Sequence, residues 1–170
     1  MKKYSIFLLL FLFAFSKSQS QSSIPAAQSV FIYNFTRLIE WPADYKSGDF
    51  TIGVIGSGEV FNELKNYTAS KMVGVQPIKV VKFNATAEIS KCHILFVGYG
   101  KTKDLAEMVT KLGGGSTLIV SENKAAIDKG ATINFVIIED KLKFELKTSN
   151  ASNVGLKIHS NLENMASAKY

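Results

Sequence analysis

The chain has 170 residues, with 20 lysine or arginine against 14 aspartate or glutamate, one cysteine and two histidines. That length suits one globular domain, and 46% hydrophobic with 20% charged residues excludes a disordered chain. One cysteine excludes an intramolecular disulfide framework, and one Cys with two His is too few for a four-ligand structural zinc site.

Met1-Lys2-Lys3 is a short basic start, Tyr4 to Phe15 an uncharged apolar run, and Ser16 to Gln21 small and polar. This is the pattern of a secretory signal peptide. The apolar run of twelve residues would cover about 18 Å as a helix, against a hydrocarbon core of about 30 Å. The reading is therefore a cleaved leader over 1–20 and one domain over 21–170, with export as the consequence. No cysteine stands just after the apolar run, which argues against a lipid anchor. Removing Lys2, Lys3 and Lys17 from the 20 basic residues leaves 17 against 14 acids, a net charge of +3. The remaining lysines are scattered, so no nucleic-acid stripe is expected.

Ser22-Ser23-Ile24-Pro25 opens a helix, since Ser supplies a capping oxygen and Pro is tolerated in the first turn. Ala27, Phe31, Phe35 and Leu38 give it one apolar face, and Trp41-Pro42 is expected to end it. Phe50–Ile55 reads as a strand, Gly56-Ser57-Gly58 as a turn and Val60–Tyr67 as a helix. Ile78–Phe83 and Cys92–Val97 read as strands, the second an apolar run covered on both faces. Thr102–Leu112 is a helix stopped by Gly113-Gly114-Gly115. Thr117–Val120 is a buried strand, and Asn123–Asp128 a short helix closed by Lys129-Gly130.

Thr132–Ile138 and Leu142–Lys147 then form a hairpin around Glu139-Asp140-Lys141, where a glycine would be expected. The second strand alternates Leu142, Phe144 and Leu146 with Lys143, Glu145 and Lys147, as an antiparallel edge does. Such an edge could accept another strand. Asn150 is expected to cap a last helix carrying Ala151, Val154, Ile158, Leu162 and Met165 on one face. Together these elements give a three-layer α/β sandwich, with a mostly parallel sheet, an antiparallel edge hairpin and a C-terminal helix.

Few residues suggest chemistry. Gly56-Ser57-Gly58 lies where a dinucleotide fingerprint would, but Phe61 replaces its third glycine and no acid ends the next strand. A small-molecule or nucleotide module using that turn is the alternative reading. Adjacent strand residues point to opposite faces, so Cys92 and His93 cannot act as nucleophile and base. Cys92 reads as a small core residue, or as one half of a bond between two chains. His159 is a lone histidine with no catalytic pattern around it. Arg37 and Trp41, four apart, would share a helix face, as stem-on-ring packing or as a binding hot spot. The Asn34, Asn66, Asn84 and Asn150 glycosylation-type triplets matter only in a eukaryotic secretory pathway. The reading contains no catalytic residues, no metal ligands and no cofactor.

Three stretches resemble a known family. FIYNFTRLIEWP (Phe31–Pro42) resembles the F-x-(K/R)-x-x-x-W-P opening of the YfiR-like periplasmic proteins. LIVSE followed by KGATINF, within 118–135, resembles their strand–loop–strand segment. KFELKTSNASNVGLKIHSNL (Lys143–Leu162) resembles their hairpin return and terminal segment. The resemblance implies an exported α/β regulator that tends to dimerise. It also implies a partner, the periplasmic sensor domain of an inner-membrane diguanylate cyclase held inactive, which lowers cyclic-di-GMP and biofilm formation. Arg37, Trp41 and His159, with Lys157 a weaker addition, are carried over as a ligand or partner surface. Lys143 stands where arginine is common and keeps the charge without the planar fork. Redox-sensitive members use pairs of cysteines, so Cys92 alone excludes an internal disulfide switch.

Overall fold

The structure is a computed structural model that describes residues 23–170, so the leader expected over 1–20 lies outside the described residues. Its helices are α1 (Ile24–Phe35), α2 (Gly58–Thr68), α3 (Leu105–Leu112), α4 (Thr148–Ser152) and α5 (Ser160–Met165). Strands β1 (Ile39–Glu40), β2 (Phe50–Ile55), β3 (Met72–Val73), β4 (Gln76–Phe83) and β5 (Ile94–Val97) come first in the chain. They are followed by β6 (Leu118–Ser121), β7 (Ile133–Ile138), β8 (Lys141–Leu146), β9 (Lys157–Ile158) and β10 (Ala168–Lys169). One sheet has the order β10-β8-β7-β6-β5-β2-β4-β3, and β1 pairs with β9 in a separate ladder. From β4 through β7 every pairing is parallel, while β7–β8 and β3–β4 are antiparallel. The expected three-layer α/β sandwich with a mostly parallel sheet and an edge hairpin is the fold observed. None of the described helices is long and apolar enough to cross a membrane.

Strand alternation divides the core. Ile52, Val54, Ile94 and Phe96 meet Ile32 and Phe35 of α1 and Val60 and Leu64 of α2. Ile55, Leu95, Val97 and Ile119 face the other way, onto Leu105 and Met108 of α3. Strands buried on both faces explain the continuous apolar runs. Phe35 is also locked edge-on against Phe144 of the hairpin, ring centroids 5.2 Å apart. Ser23 caps α1 as expected, accepting the Ala26 N–H at 3.3 Å.

Several expectations need correction. The first helix ends at Phe35, not at Trp41. Thr36 Oγ1 donates to the Tyr33 carbonyl at 2.7 Å, and the Thr36, Arg37 and Leu38 N–H groups take tight bonds three residues back. Ile39 then pairs with Ile158, and the chain turns extended before Pro42. Arg37 and Trp41 therefore share no helix face.

The last helix is broken as well. Gly155, at φ +74°, turns the chain into β9 before α5 begins, so Ala151 and Leu162 belong to different short helices. Asn150 caps nothing: its Nδ2 donates to the carbonyls of Ile127 and Ala131 at 3.0 and 2.8 Å.

The hairpin turn needs no glycine, because Glu139 and Asp140 both sit at positive φ, 51° and 58°. That is the two-residue turn whose twist matches a hairpin. Nor is β8 a bare edge with one wet face. β10 covers its end, and Glu145 is buried, accepting from Asn134 Nδ2 at 3.2 Å and Tyr170 Oη at 3.3 Å.

Candidate functional site

A cleft opens at the N-terminal ends of the parallel strands. Its floor is aromatic and fixed by hydrogen bonds. Trp41 is 5% exposed, and its Nε1 donates to the His93 carbonyl at 3.2 Å. The indole stands edge-on to Phe50 at 5.0 Å, and Phe50 stacks on the His93 ring at 4.2 Å. His93 Nδ1 accepts the Thr51 N–H at 3.0 Å, which leaves the proton on Nε2 to donate to the Tyr45 carbonyl at 2.7 Å. The imidazole is thus held neutral in one tautomer. Burial pushes its pKa below the ordinary 6.5, opposed by the Nε2 bond to the Tyr45 carbonyl and helped by the Lys91 ammonium. Gln76 closes one wall, its Nε2 donating to the carbonyls of Tyr45, Ser47 and Gly48 at 3.1 to 3.3 Å.

The rim comes from the β1–β9 ladder. Ile39 lies opposite Ile158 and Glu40 opposite Lys157, and the His159 N–H donates to the Leu38 carbonyl at 2.9 Å. This pairing brings His159 beside Arg37 and Trp41, and all three line one cavity of about 490 Å³. That volume lies within the range of small-molecule sites, about 300–1,000 Å³. Lys157 opens instead onto an adjoining cavity of about 350 Å³ that shares Glu40, Trp41 and Lys46. The structure therefore gathers Arg37, Trp41 and His159, with Lys157 one step away. Arg37 and His159 are exposed and make no ion pair among the described residues. The exposed Lys46–Glu40 pair at 3.3 Å adds little stability.

Sequence reasoning missed Phe50, Gln76 and His93. In the sequence His93 stands out only as the neighbour of Cys92 on the opposite strand face. Cys92 itself is 1% exposed, and burial pushes its thiol up to about 12, so it is a core residue out of reach of a second chain.

The other place to look is the strand-order switch between β2 and β5, where open α/β sheets bind ligands beyond the C-terminal strand ends. Here the chain fills it. A Cβ on Gly98 would lie 2.6 Å from the Gly56 carbonyl oxygen, and one on Gly56, at φ +83°, 2.8 Å from Lys101 Cγ. The Gly98 N–H donates to the Ile55 carbonyl at 2.8 Å. The Tyr99 N–H is taken by Glu122 Oε1 at 2.9 Å, and Glu122 Oε2 accepts from Gln28 at 2.8 Å. Close backbone approach accounts for both glycines without a phosphate. Among the described residues, no group of three or more His, Cys, Asp or Glu is placed to hold a metal ion.

These features define a class: a three-layer α/β domain with an aromatic-floored cleft at the end of its sheet opposite the switch point. The family model described as DUF4154, YfiR/HmsC-like, matches residues 25–167, and the chain belongs to that family. The fold is similar to a conserved domain protein from Vibrio cholerae O1 biovar El Tor, with TM-score 0.64 and 12% identity over 87% of this chain. It is also similar to the ABC domain in complex with L-Trp from Streptococcus pneumonia, with TM-score 0.57 and 14% identity over 86% of this chain. The chain spans 60% of each of those structures, and at such identities the likeness is one of fold alone. No curated protein matches the chain significantly.

Proposed function

We propose that this protein is an exported, non-enzymatic regulator that binds the periplasmic sensor domain of an inner-membrane signalling protein and represses it. The partner we favour is a diguanylate cyclase, so that binding lowers cyclic-di-GMP and with it biofilm formation. Membership of the YfiR/HmsC-like family supports the regulatory role, and the leader pattern of Met1 to Gln21 supports export. The observation that carries the choice of surface is the cleft that brings Arg37, Trp41 and His159 together. Arginine and tryptophan are the residues enriched where binding energy concentrates. Lys157, in the adjoining cavity, extends that surface.

The test is deletion of the gene with measurement of cyclic-di-GMP, alongside capture of membrane proteins on the full chain. A rise in cyclic-di-GMP and recovery of a cyclase are expected. Unchanged levels with no membrane protein recovered would overturn the reading. Dimerisation belongs to the same proposal, and a monomer at high concentration in sedimentation would remove it.

A second reading has its own observation: the cleft is large enough for a small ligand that tunes repression. The chain has one tryptophan, Trp41, so its fluorescence reports on that cleft directly. A metabolite that shifts Trp41 emission and weakens capture of the membrane partner would support it, and an emission unmoved by metabolite mixtures would remove it.

A further inference from the structure

Each outer edge of the sheet is covered by a two-residue strand at one end. At one, β10 pairs with Glu145 and Leu146 of β8, and the N–H groups of Ser167 and Tyr170 donate to the Phe144 and Leu146 carbonyls at 2.8 and 3.0 Å, which leaves Lys141 to Lys143 open. At the other, β3 pairs only with Gln76 and Pro77 at the start of β4. Among the described residues, no strand pairs with the outer side of β4 from Ile78 to Phe83. Unpaired N–H and C=O groups along a strand are a template for another strand.

The side chains along this edge say what could add to it. Ile78 and Val80 pack toward the α1–α2 layer and Val81 toward the α3 layer, so apolar surface continues on both faces. Lys79 and Lys82 are exposed, and neither makes an ion pair among the described residues. β4 reads QPIKVVKF and contains no acid. Two copies paired here would bring only lysines into one ladder, which disfavours self-association. A segment bearing carboxylates meets the opposite situation. The edge also continues into the cleft, because Val73, Val75 and Gln76 line the cavity that holds Trp41.

We propose that the open edge of β4 receives an extended, acidic segment of the regulated partner as an added strand, with carboxylates against Lys79 and Lys82. This rests on the reading that the chain works by binding a protein, and it names where and by what chemistry. It differs from pairing along β8, where β10 leaves only Lys141 to Lys143 open, a shorter run than Ile78 to Phe83 of β4.

The test uses the full chain in its own cells, with a photo-crosslinking residue replacing Asn84, just beyond β4, or Lys46, an exposed residue lining the cleft. Both probes are expected to capture the same membrane protein. The peptide joined at position 84 is expected to be an extended segment with at least two Asp or Glu. Lys79→Glu with Lys82→Glu should lower the yield at position 84 about tenfold, since like charges across a ladder repel. Both lysines are exposed, so melting of the purified variant should match the wild type. Capture at 46 but none at 84, or a yield at 84 indifferent to the double reversal, would overturn the edge proposal and leave the partner reading standing. No capture at either position would overturn both.

Discussion

The two ends of the central sheet offer the same raw material and use it in opposite ways. At the C-terminal strand ends, glycine turns after β2 and β5 meet at the place where related topologies cradle phosphates. There the backbone of Gly98 closes on that of Gly56, and Glu122 takes the free Tyr99 N–H. At the N-terminal strand ends, bulky side chains hold the elements apart, and an aromatic floor of Trp41, Phe50 and His93 underlies an open cleft. Topology alone points to an end that the backbone fills at Gly56 and Gly98. Whether glycines make room for a ligand or for another loop is decided by what their backbone touches.

The sharpest way to break this comparison is at the floor. Trp41→Ala removes a ring that is 5% exposed and leaves the His93 carbonyl without its donor. A loss of about 3–5 kcal/mol is expected from urea unfolding. Trp41→Phe keeps most of the packing and should cost less than half of that. If alanine costs under about 1 kcal/mol, the floor is not a packed part of the core.

At the opposite end, Gly98→Ala sets a methyl 2.6 Å from the Gly56 carbonyl, a contact that must be relieved by moving one loop. We expect a loss of about 2 kcal/mol with no change in partner capture. A variant as stable as wild type would mean that the switch point is looser than described. Preserved stability with lost capture would return function to the Gly56–Gly58 turn.

The His93 linkage is gentler and depends on pH. In the folded chain the ring is neutral and titrates below 6.5; unfolded, it titrates near that value. Between the two values the unfolded state binds more protons, so stability is full above 6.5 and is lost as pH falls through the folded value. Urea midpoints should decline between pH 7.5 and pH 5 and flatten in His93→Gln. Cleft binding should hold while the folded ring stays neutral and weaken only as pH falls below the folded value, where a protonated Nδ1 no longer accepts from Thr51.

What could be read from the sequence follows the range of the forces involved. β2, β6, β7 and the glycine stop after Leu112 carry local signals, apolar runs and a left-handed C-cap at Gly113, and they stand within a residue or two of expectation. The β1–β9 ladder carries none. Two residues from each end of the domain pair only once the fold is complete, and they override a helical reading on both sides, at Arg37 to Trp41 and at Val154 to Ile158. The cleft residues Arg37, Trp41 and His159 were legible as residue types and through the family resemblance, but not as neighbours, since the ladder that joins them is non-local. His93 was lost because a histidine beside an apolar strand looks like any core-edge residue until Tyr45 and Thr51 are seen on its two nitrogens.

The smallest effect on stability is expected where the effect on function is proposed to be large. Arg37 and His159 are exposed on the rim, and among the described residues neither side chain makes a hydrogen bond or ion pair. Arg37→Ala and His159→Ala should each stay within about 0.5 kcal/mol of wild type. If the rim contacts the membrane partner, the same changes should weaken capture about tenfold or more. A structural role would show the reverse ordering, with lost stability tracking lost capture. A rim variant that melts like wild type and still fails to repress would separate the two functions of this end of the sheet.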